Sequence, residues 1–352
     1  MAKRDGPARP LNPASGTTYH KAGNEFSLGP LEEDAMTIRF MEPLGQAWNR
    51  MKTALFKPFD LHKWFVVGFN AFLAGMMEAS NGGSGGRFGK EGHFGEFIHF
   101  PQTAWAWLVG HPLWAWLILF GAVVALVVFV VLTWVSSRGV FMFLDNVVRD
   151  KVEIAKPWRE YQKEGNSLFV WRLLFGVVTF VVFGTVLALF FIRGAALYDA
   201  GASIVSSLGL IIAFGLIVLA LALVWGYIIL FLRDFVAALM YRDRITVGRA
   251  WKLFLGVFRK SPFHFVGYGI LIFLLTIAFV VAVVLAGLVT CCIGWILLAI
   301  PYIGTVVTLP VWYTYRAFSL EFLAQFGPEY DVFRREGPGV APAQPAPAAP
   351  AV

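Results

Sequence analysis

The chain of 352 residues is 58% hydrophobic and 16% aromatic, and only 14% of its residues are charged. Soluble globular domains are about 25% charged, so this composition excludes an ordinary soluble enzyme, a disordered chain and a secreted disulfide scaffold. The two cysteines, Cys291 and Cys292, are adjacent and are expected to be inert thiols rather than a disulfide pair. The formal net charge of +7 is typical either of a basic membrane face or of a surface that binds nucleic acid.

The two ends of the chain are expected to be unstructured. Residues 1–36 are polar and contain no short apolar run followed by a small-residue cleavage site, so we expect a disordered cytoplasmic segment without a signal peptide. Residues 334–352 are rich in proline and alanine, which predicts a disordered tail. The membrane domain is therefore expected at 37–333.

Six apolar segments lie between these ends, each long enough to cross a hydrocarbon core of about 30 Å. They cover residues 61–79, 113–135, 168–192, 204–232, 263–290 and 292–318. Asn70 interrupts the first segment, and Pro301 and Pro310 are expected to bend or break the last. The predicted fold class is an all-α integral membrane protein with six transmembrane helices, arranged as three hairpin repeats with amphipathic helices in the cytoplasmic interface.

Lysine and arginine are concentrated in alternate connecting segments. Segment 1–60 contains eight of them, connector 136–166 contains six and connector 233–262 contains seven, whereas the three intervening loops together contain three. Cytoplasmic loops carry such an excess, so both termini are expected in the cytoplasm. Because the basic residues lie in short connectors rather than in a separate domain, the pattern favours anionic phospholipids over nucleic acid as the partner.

An internal repeat links the basic connectors. Residues 149–158 and 242–251 share the pattern Arg-Asp-basic-aliphatic-x-aliphatic-x-basic-x-Trp, and a weaker copy lies at 44–48. The chain is therefore expected to comprise three units, at about 37–135, 136–232 and 233–318. Each unit would place an amphipathic segment before a hairpin of two spans.

The repeated segments are the predicted contact with lipid headgroups. Tryptophan is typical of the membrane interface, and lysine and arginine reach from it toward anionic headgroups. The candidate headgroup-binding residues are Arg149, Lys151, Lys156, Trp158, Arg242, Arg244, Arg249, Trp251 and Lys252. The same pattern is typical of a generic interfacial anchor, and it is also compatible with a surface that docks a protein partner.

Polar residues and kinks inside the predicted spans form a second candidate site, because such residues are costly in a bilayer and often functional. They are Asn70, Arg172, Pro301 and Pro310. Asn70 would either line a cavity or bond to a neighbouring helix. Arg172 would either reach the basic side of the membrane or pair with Asp145 or Asp150.

The sequence contains no fingerprint of a metalloprotease, a serine hydrolase or a dinucleotide-binding enzyme. His93, Glu96 and His99 have a loose metal-like spacing beside a glycine-rich outer loop, and surface histidines are the more ordinary interpretation. We therefore predict no catalytic residue, no metal and no cofactor.

Residues 136–148, 157–161 and 165–169 resemble an uncharacterised family of bacterial polytopic membrane proteins. That family is akin to the membrane domain attached to some glycerophosphoryl diester phosphodiesterases. The resemblance covers roughly residues 37–333 and implies a six-helix domain in a bacterial inner membrane. It implies no phosphodiesterase activity, since its motifs are structural and the catalytic barrel of those enzymes is not among these residues.

The sequence thus predicts a non-enzymatic, multi-pass inner-membrane protein that interacts with lipids or serves as a scaffold. Its expected partners are membrane phospholipids, anionic on the cytoplasmic face, with a protein partner or a second copy of the chain as a further possibility. The alternative is a permease or exporter of a lipidic or small amphipathic solute, with its site at Asn70 and the region from Pro301 to Pro310.

Overall fold

The computed structural model describes residues 38–79, 97–150, 152, 154–201, 204–290 and 293–333. Apart from one isolated β-bridge between Phe56 and Phe59, the regular secondary structure of these residues is helical, which confirms the all-α class. The predicted disordered ends, the glycine-rich loop, Lys151 and the cysteine pair lie outside the described residues.

The described helices follow one another with short connections. In chain order they are α1 (Met41–Phe56), α2 (Leu61–Ala79), α3 (Phe100–Gly110), α4 (Pro112–Arg149), α5 (Ala155–Glu160), α6 (Gln162–Asp199), α7 (Ile204–Phe231), a π-helical turn (Leu232–Val236), α8 (Ala237–Asp243), α9 (Val247–Lys260), α10 (Pro262–Val289), α11 (Ile293–Ala299), α12 (Pro301–Val307) and α13 (Leu309–Ala324).

Four helical stretches among the described residues are long and apolar enough to cross a membrane. They are Pro112–Arg149, Gln162–Asp199, Leu208–Asp243 and Pro262–Val289. These stretches are what an integral membrane protein requires. The sequence analysis predicted six spans, and the first and the last of those six are not among the four.

The two missing spans differ from the others for separate reasons. Helix α2 has only 19 residues, and His62, Lys63 and Asn70 reduce its apolar content. The last predicted span is divided into α11, α12 and α13. Ile300 is extended, with φ −79° and ψ 110°, because the ring of the following Pro301 disfavours a helical conformation.

Two of the spanning stretches continue far into the segments that were expected to be cytoplasmic connectors. Helix α4 has 38 residues, which corresponds to roughly 57 Å at 1.5 Å per residue, about twice the hydrocarbon thickness. Its part from 112 to 132 is mostly exposed, whereas 133–147 is mostly buried. The helices end only where Asp150 and Arg244 adopt left-handed conformations, with φ of 53° and 56°.

The buried parts of the helices meet at one end of the molecule. We call the segments 136–147, 232–241 and 309–323 the packed base, because each contributes a long run of buried residues to one hydrophobic core. Helix α1 packs against α13, α5 against α4, and α9 against α8 and the π-helical turn. The other ends of the long helices expose apolar side chains such as Phe120, Phe180 and Phe273, as expected for a lipid-facing surface.

Candidate functional site

Helix α9 is amphipathic, with one side buried against the packed base and the other side exposed. Val247, Ala250, Phe254 and Val257 are buried at helical spacing. The exposed positions include Arg249, Lys252, Arg259 and Lys260, together with Leu253 and Leu255. Because the buried apolar stripe is already covered by the protein, the basic face remains available to another molecule.

Helix α5 adds further cations, and its end lies near the start of α9, since Glu160 pairs with Arg244. Lys156 and Arg159 are exposed, whereas Pro157 is buried. Trp158 lies edge-on to Trp134, with ring centroids 5.7 Å apart, so its indole is partly covered. Trp251 of α9 is likewise stacked on Trp171 at 5.9 Å. Both predicted interfacial tryptophans therefore anchor their helices to the protein.

Three of the predicted headgroup ligands form ion pairs inside the protein. Arg149 lies 3.2 Å from Asp145 and 3.7 Å from Glu160. Arg244 pairs with the carboxylate of the same Glu160. It also donates a hydrogen bond to the backbone carbonyl of Glu160 at 3.2 Å. The Nε atom of Arg242 donates to Asp243 at 2.9 Å. Arg244 remains exposed despite its ion pair, and among the other described members of the predicted set Lys156, Arg249 and Lys252 are exposed as well.

Asp145 is the centre of a buried polar cluster that joins the two basic connectors. Its Oδ1 atom accepts hydrogen bonds from the Tyr161 and Tyr241 hydroxyls, both at 3.0 Å. The two phenol rings stack 5.0 Å apart, and the guanidinium of Arg244 lies 3.7 Å above the Tyr161 ring. Burial raises the pKa of Tyr161, so its hydroxyl stays protonated and continues to donate.

A second buried group of charges lies on the π-helical turn. Asp234 forms an ion pair with its neighbour Arg233 at 2.7 Å and accepts a hydrogen bond from the Tyr268 hydroxyl at 3.0 Å. Arg316 of α13 donates to the backbone carbonyl of Arg233. Short π-helical turns often mark functional positions in helices, so this group of charges is a candidate site.

These charges form one end of a cavity of about 580 Å³ between α2, α10 and the broken helices α11–α13. Its other walls are largely apolar, and they include Ala71, Phe72, Phe279, Val283 and Leu298. Thr305 and Thr308, between the two helix-breaking prolines, also line it. An apolar cavity with a few convergent polar groups is the usual form of a small-molecule site.

The predicted intramembrane polar residues are mostly engaged with neighbouring helices. Asn70 is fully buried and donates from Nδ2 to the Oδ1 atom of Asn146, which is the helix-to-helix bond that the sequence offered as one alternative. Arg172 donates to the hydroxyls of Ser136 and Ser137 at 3.2 and 3.4 Å. Pro301 and Pro310 each lie in the first turn of a helix, where the missing N–H is tolerated.

The possible metal set cannot be assembled from the described residues. His93 and Glu96 lie outside them, and His99 is 3.3 Å from Asp199. The described part of the chain contains no group of three or more metal-type side chains.

The sequence analysis missed the acidic centres of both buried clusters. Asp145 appeared there only as a possible partner of Arg172, and Asp234 was not considered. The available signal was a carboxylate placed within a long apolar run, which is costly unless it is paired.

Comparison with known families gives a match. A family model described as a family of unknown function (DUF7544) matches residues 39–326. No curated protein and no solved structure matches the chain. The match fits the expectation of an uncharacterised family, and it provides no link to glycerophosphoryl diester phosphodiesterases.

Proposed function

The chain belongs to the DUF7544 family of unknown function, and we propose that it is a non-enzymatic membrane protein that binds anionic phospholipids on its basic face. We define the basic face as Lys156 and Arg159 of α5 with Arg249 and Lys252 of α9. The proposal rests on one observation, the exposure of these four cations on helices whose other sides are buried against the packed base. Such a surface lies naturally against anionic headgroups.

The proposed orientation places the packed base and both termini in the cytoplasm of a bacterial cell, with the long helices in the inner membrane. The excess of lysine and arginine in alternate connectors supports this orientation. In the proposed topology, α2 and the broken helices α11–α13 also cross the membrane, which completes six passes.

The three-unit organisation is part of the same proposal. Each unit would begin with an amphipathic helix in the interface, namely α1, α5 or α9. The observed packing supports this arrangement, because α5 packs on α4 and α9 packs on α8, the helical segments that precede them, and α1 packs on α13. Such packing would present three interfacial helices to the same leaflet.

Charge reversal on the basic face is expected to reduce the retention of anionic lipid. In the triple variant Lys156→Glu, Arg249→Glu, Lys252→Glu, the retained ratio of phosphatidylglycerol to phosphatidylethanolamine should fall at least about tenfold, since each cation near an anionic surface contributes about 1 kcal/mol. Mass spectrometry of the protein purified in mild detergent measures this ratio and also detects a retained protein partner or a second copy of the chain.

The matched control is Arg193→Glu, because Arg193 is exposed at the opposite end of α6. We expect its lipid ratio to equal that of the unmodified protein. An unchanged ratio in the folded triple variant would contradict the proposed role of the basic face.

A permease or exporter for a lipidic or amphipathic solute is the second candidate, and the 580 Å³ cavity beside α11–α13 favours it. Helices broken at Pro301 and Pro310 can adopt two arrangements, as alternating access requires. In proteoliposomes, flux of a fluorescent fatty acid should fall at least about tenfold on Asn70→Leu or Pro301→Ala, with Gly121→Ala as the control. Flux that is insensitive to both changes would count against transport.

A further inference from the structure

The cavity beside the broken helices has the size of a site for one ligand molecule. Its volume of about 580 Å³ lies within the range of roughly 300–1,000 Å³ that is typical of such sites. It is separate from the basic face, since neither α5 nor α9 lines it. A ligand at this place rests on and deepens the second candidate function, since transport of an amphipathic solute would use the same cavity.

Most of the cavity wall suits a hydrocarbon chain. Phe72, Phe279, Val283 and Leu298 line it from three different helices, and none of them offers a hydrogen bond from its side chain. Gly75 leaves open space, because a Cβ atom there would meet nothing within 4 Å. An extended apolar group could lie along this wall without leaving a polar partner unsatisfied.

The charged part of the cavity wall suits an anion. The charged side chains that line it are Arg233, Asp234 and Arg316, so guanidinium groups outnumber carboxylates two to one. Asp234 is 3% exposed and Arg316 is 6% exposed. Guanidinium is the side chain best suited to carboxylate and phosphate, so an anionic headgroup suits this wall.

We propose that this cavity binds a single-chain amphiphile with an anionic headgroup, whose hydrocarbon chain lies along α2 and α10 and whose headgroup lies at Arg316. The shared chemistry is one acyl chain with a carboxylate or a phosphate. A fatty acid and a lysophospholipid are the two sources that provide it.

Ligand binding distinguishes these sources. The full chain in detergent is titrated with oleate, with oleoyl lysophosphatidate and with monoolein, which has the same chain and no charge. We expect monoolein to bind at least tenfold more weakly than the better of the two anions, and the stronger anion identifies the headgroup. Equal binding of monoolein would overturn the proposal.

Two variants locate the ligand. Arg316→Gln should weaken binding of the better anion at least tenfold and leave monoolein binding unchanged. Since Arg316 also donates to the backbone of Arg233, a second variant that keeps this bond, Gly75→Phe, tests the same site by filling the wall. Folded Gly75→Phe should lose at least tenfold in affinity for either anion.

The controls separate this site from the membrane surface and from the basic face. Gly176→Phe adds the same ring at another open helical position, where a Cβ atom also meets nothing within 4 Å, and it should bind like the unmodified protein. The triple charge reversal at Lys156, Arg249 and Lys252 should also leave oleate binding unchanged. Unchanged affinity in folded Gly75→Phe, or in folded Arg316→Gln, would overturn the proposal.

Discussion

Replacing Gly139 by leucine should lower the free energy of unfolding by about 3 kcal/mol, because α2 and α4 touch there through their backbones. A Cβ atom at Gly139 would lie 2.6 Å from the Cβ atom of Leu73 and 2.8 Å from the backbone nitrogen of Ala74. Backbone atoms cannot rotate away as a side chain can. The two helices would therefore have to separate.

Separation of these helices would also break polar contacts near the crossing. The Ser136 hydroxyl donates to the carbonyl of Ala74 at 3.1 Å, and Asn70 of α2 donates to Asn146 of α4. Each buried hydrogen bond is worth about 1 kcal/mol, and overpacking itself costs about 1–3 kcal/mol. The costs of the broken hydrogen bonds and of overpacking together predict a loss of folding free energy that is large compared with the effect of a typical substitution.

Thermal denaturation in detergent measures this effect, and Gly121→Leu is the matched control. Gly121 lies in the same helix, and a Cβ atom there meets nothing within 4 Å. We expect the control to denature within a few degrees of the unmodified protein and Gly139→Leu to denature far lower. Equal midpoints for the two variants would show that the close approach of α2 and α4 does not limit stability.

The sequence predicted the helices well where the information is local. Long apolar runs specify long helices, and the break at Pro301 follows from the missing N–H and the restricted preceding residue. The ends of α4 and α8 were placed too early, because the segments after 135 and 232 were interpreted as connectors on account of their cations. Both segments contain an apolar run, at 139–144 and at 235–241, and lack proline until after Asp150 and Arg244, so continuous helices could have been predicted.

The candidate sites were harder to predict because their geometry depends on contacts between distant residues. Arg244 pairs with Glu160, 84 positions away in sequence, and a cation near a predicted membrane surface gives no indication of such a partner. The cavity is lined from α2 to α13, so no local pattern describes it. Asn70 was singled out as a polar residue within an apolar segment, but its bond to Asn146 could not be derived from periodicity.

Truncation of Asp145 to alanine should also cost about 3 kcal/mol, for a different physical reason. The change removes the common acceptor of the buried Tyr161 and Tyr241 hydroxyls, and the loss of an acceptor for a buried donor costs about 1–3 kcal/mol. Arg149 loses a carboxylate at 3.2 Å but keeps Glu160 at 3.7 Å, so it adds little. The exposed pair of Arg39 and Glu42 gives the control, since Glu42→Gln should stay within about 0.5 kcal/mol.

A double-mutant cycle shows whether Asp145 acts through the tyrosine hydroxyls. Tyr161→Phe alone should cost about 1 kcal/mol, because it removes one of several bonds to the carboxylate. In the Tyr161→Phe background, Asp145→Ala leaves one fewer unsatisfied donor, so its cost should fall by about 1–2 kcal/mol. Strictly additive costs would contradict the cluster. A coupling of the expected size would mean that the connector after α4 and the connector after α8 are held together by one carboxylate, so that the basic helices α5 and α9 keep a fixed relative position.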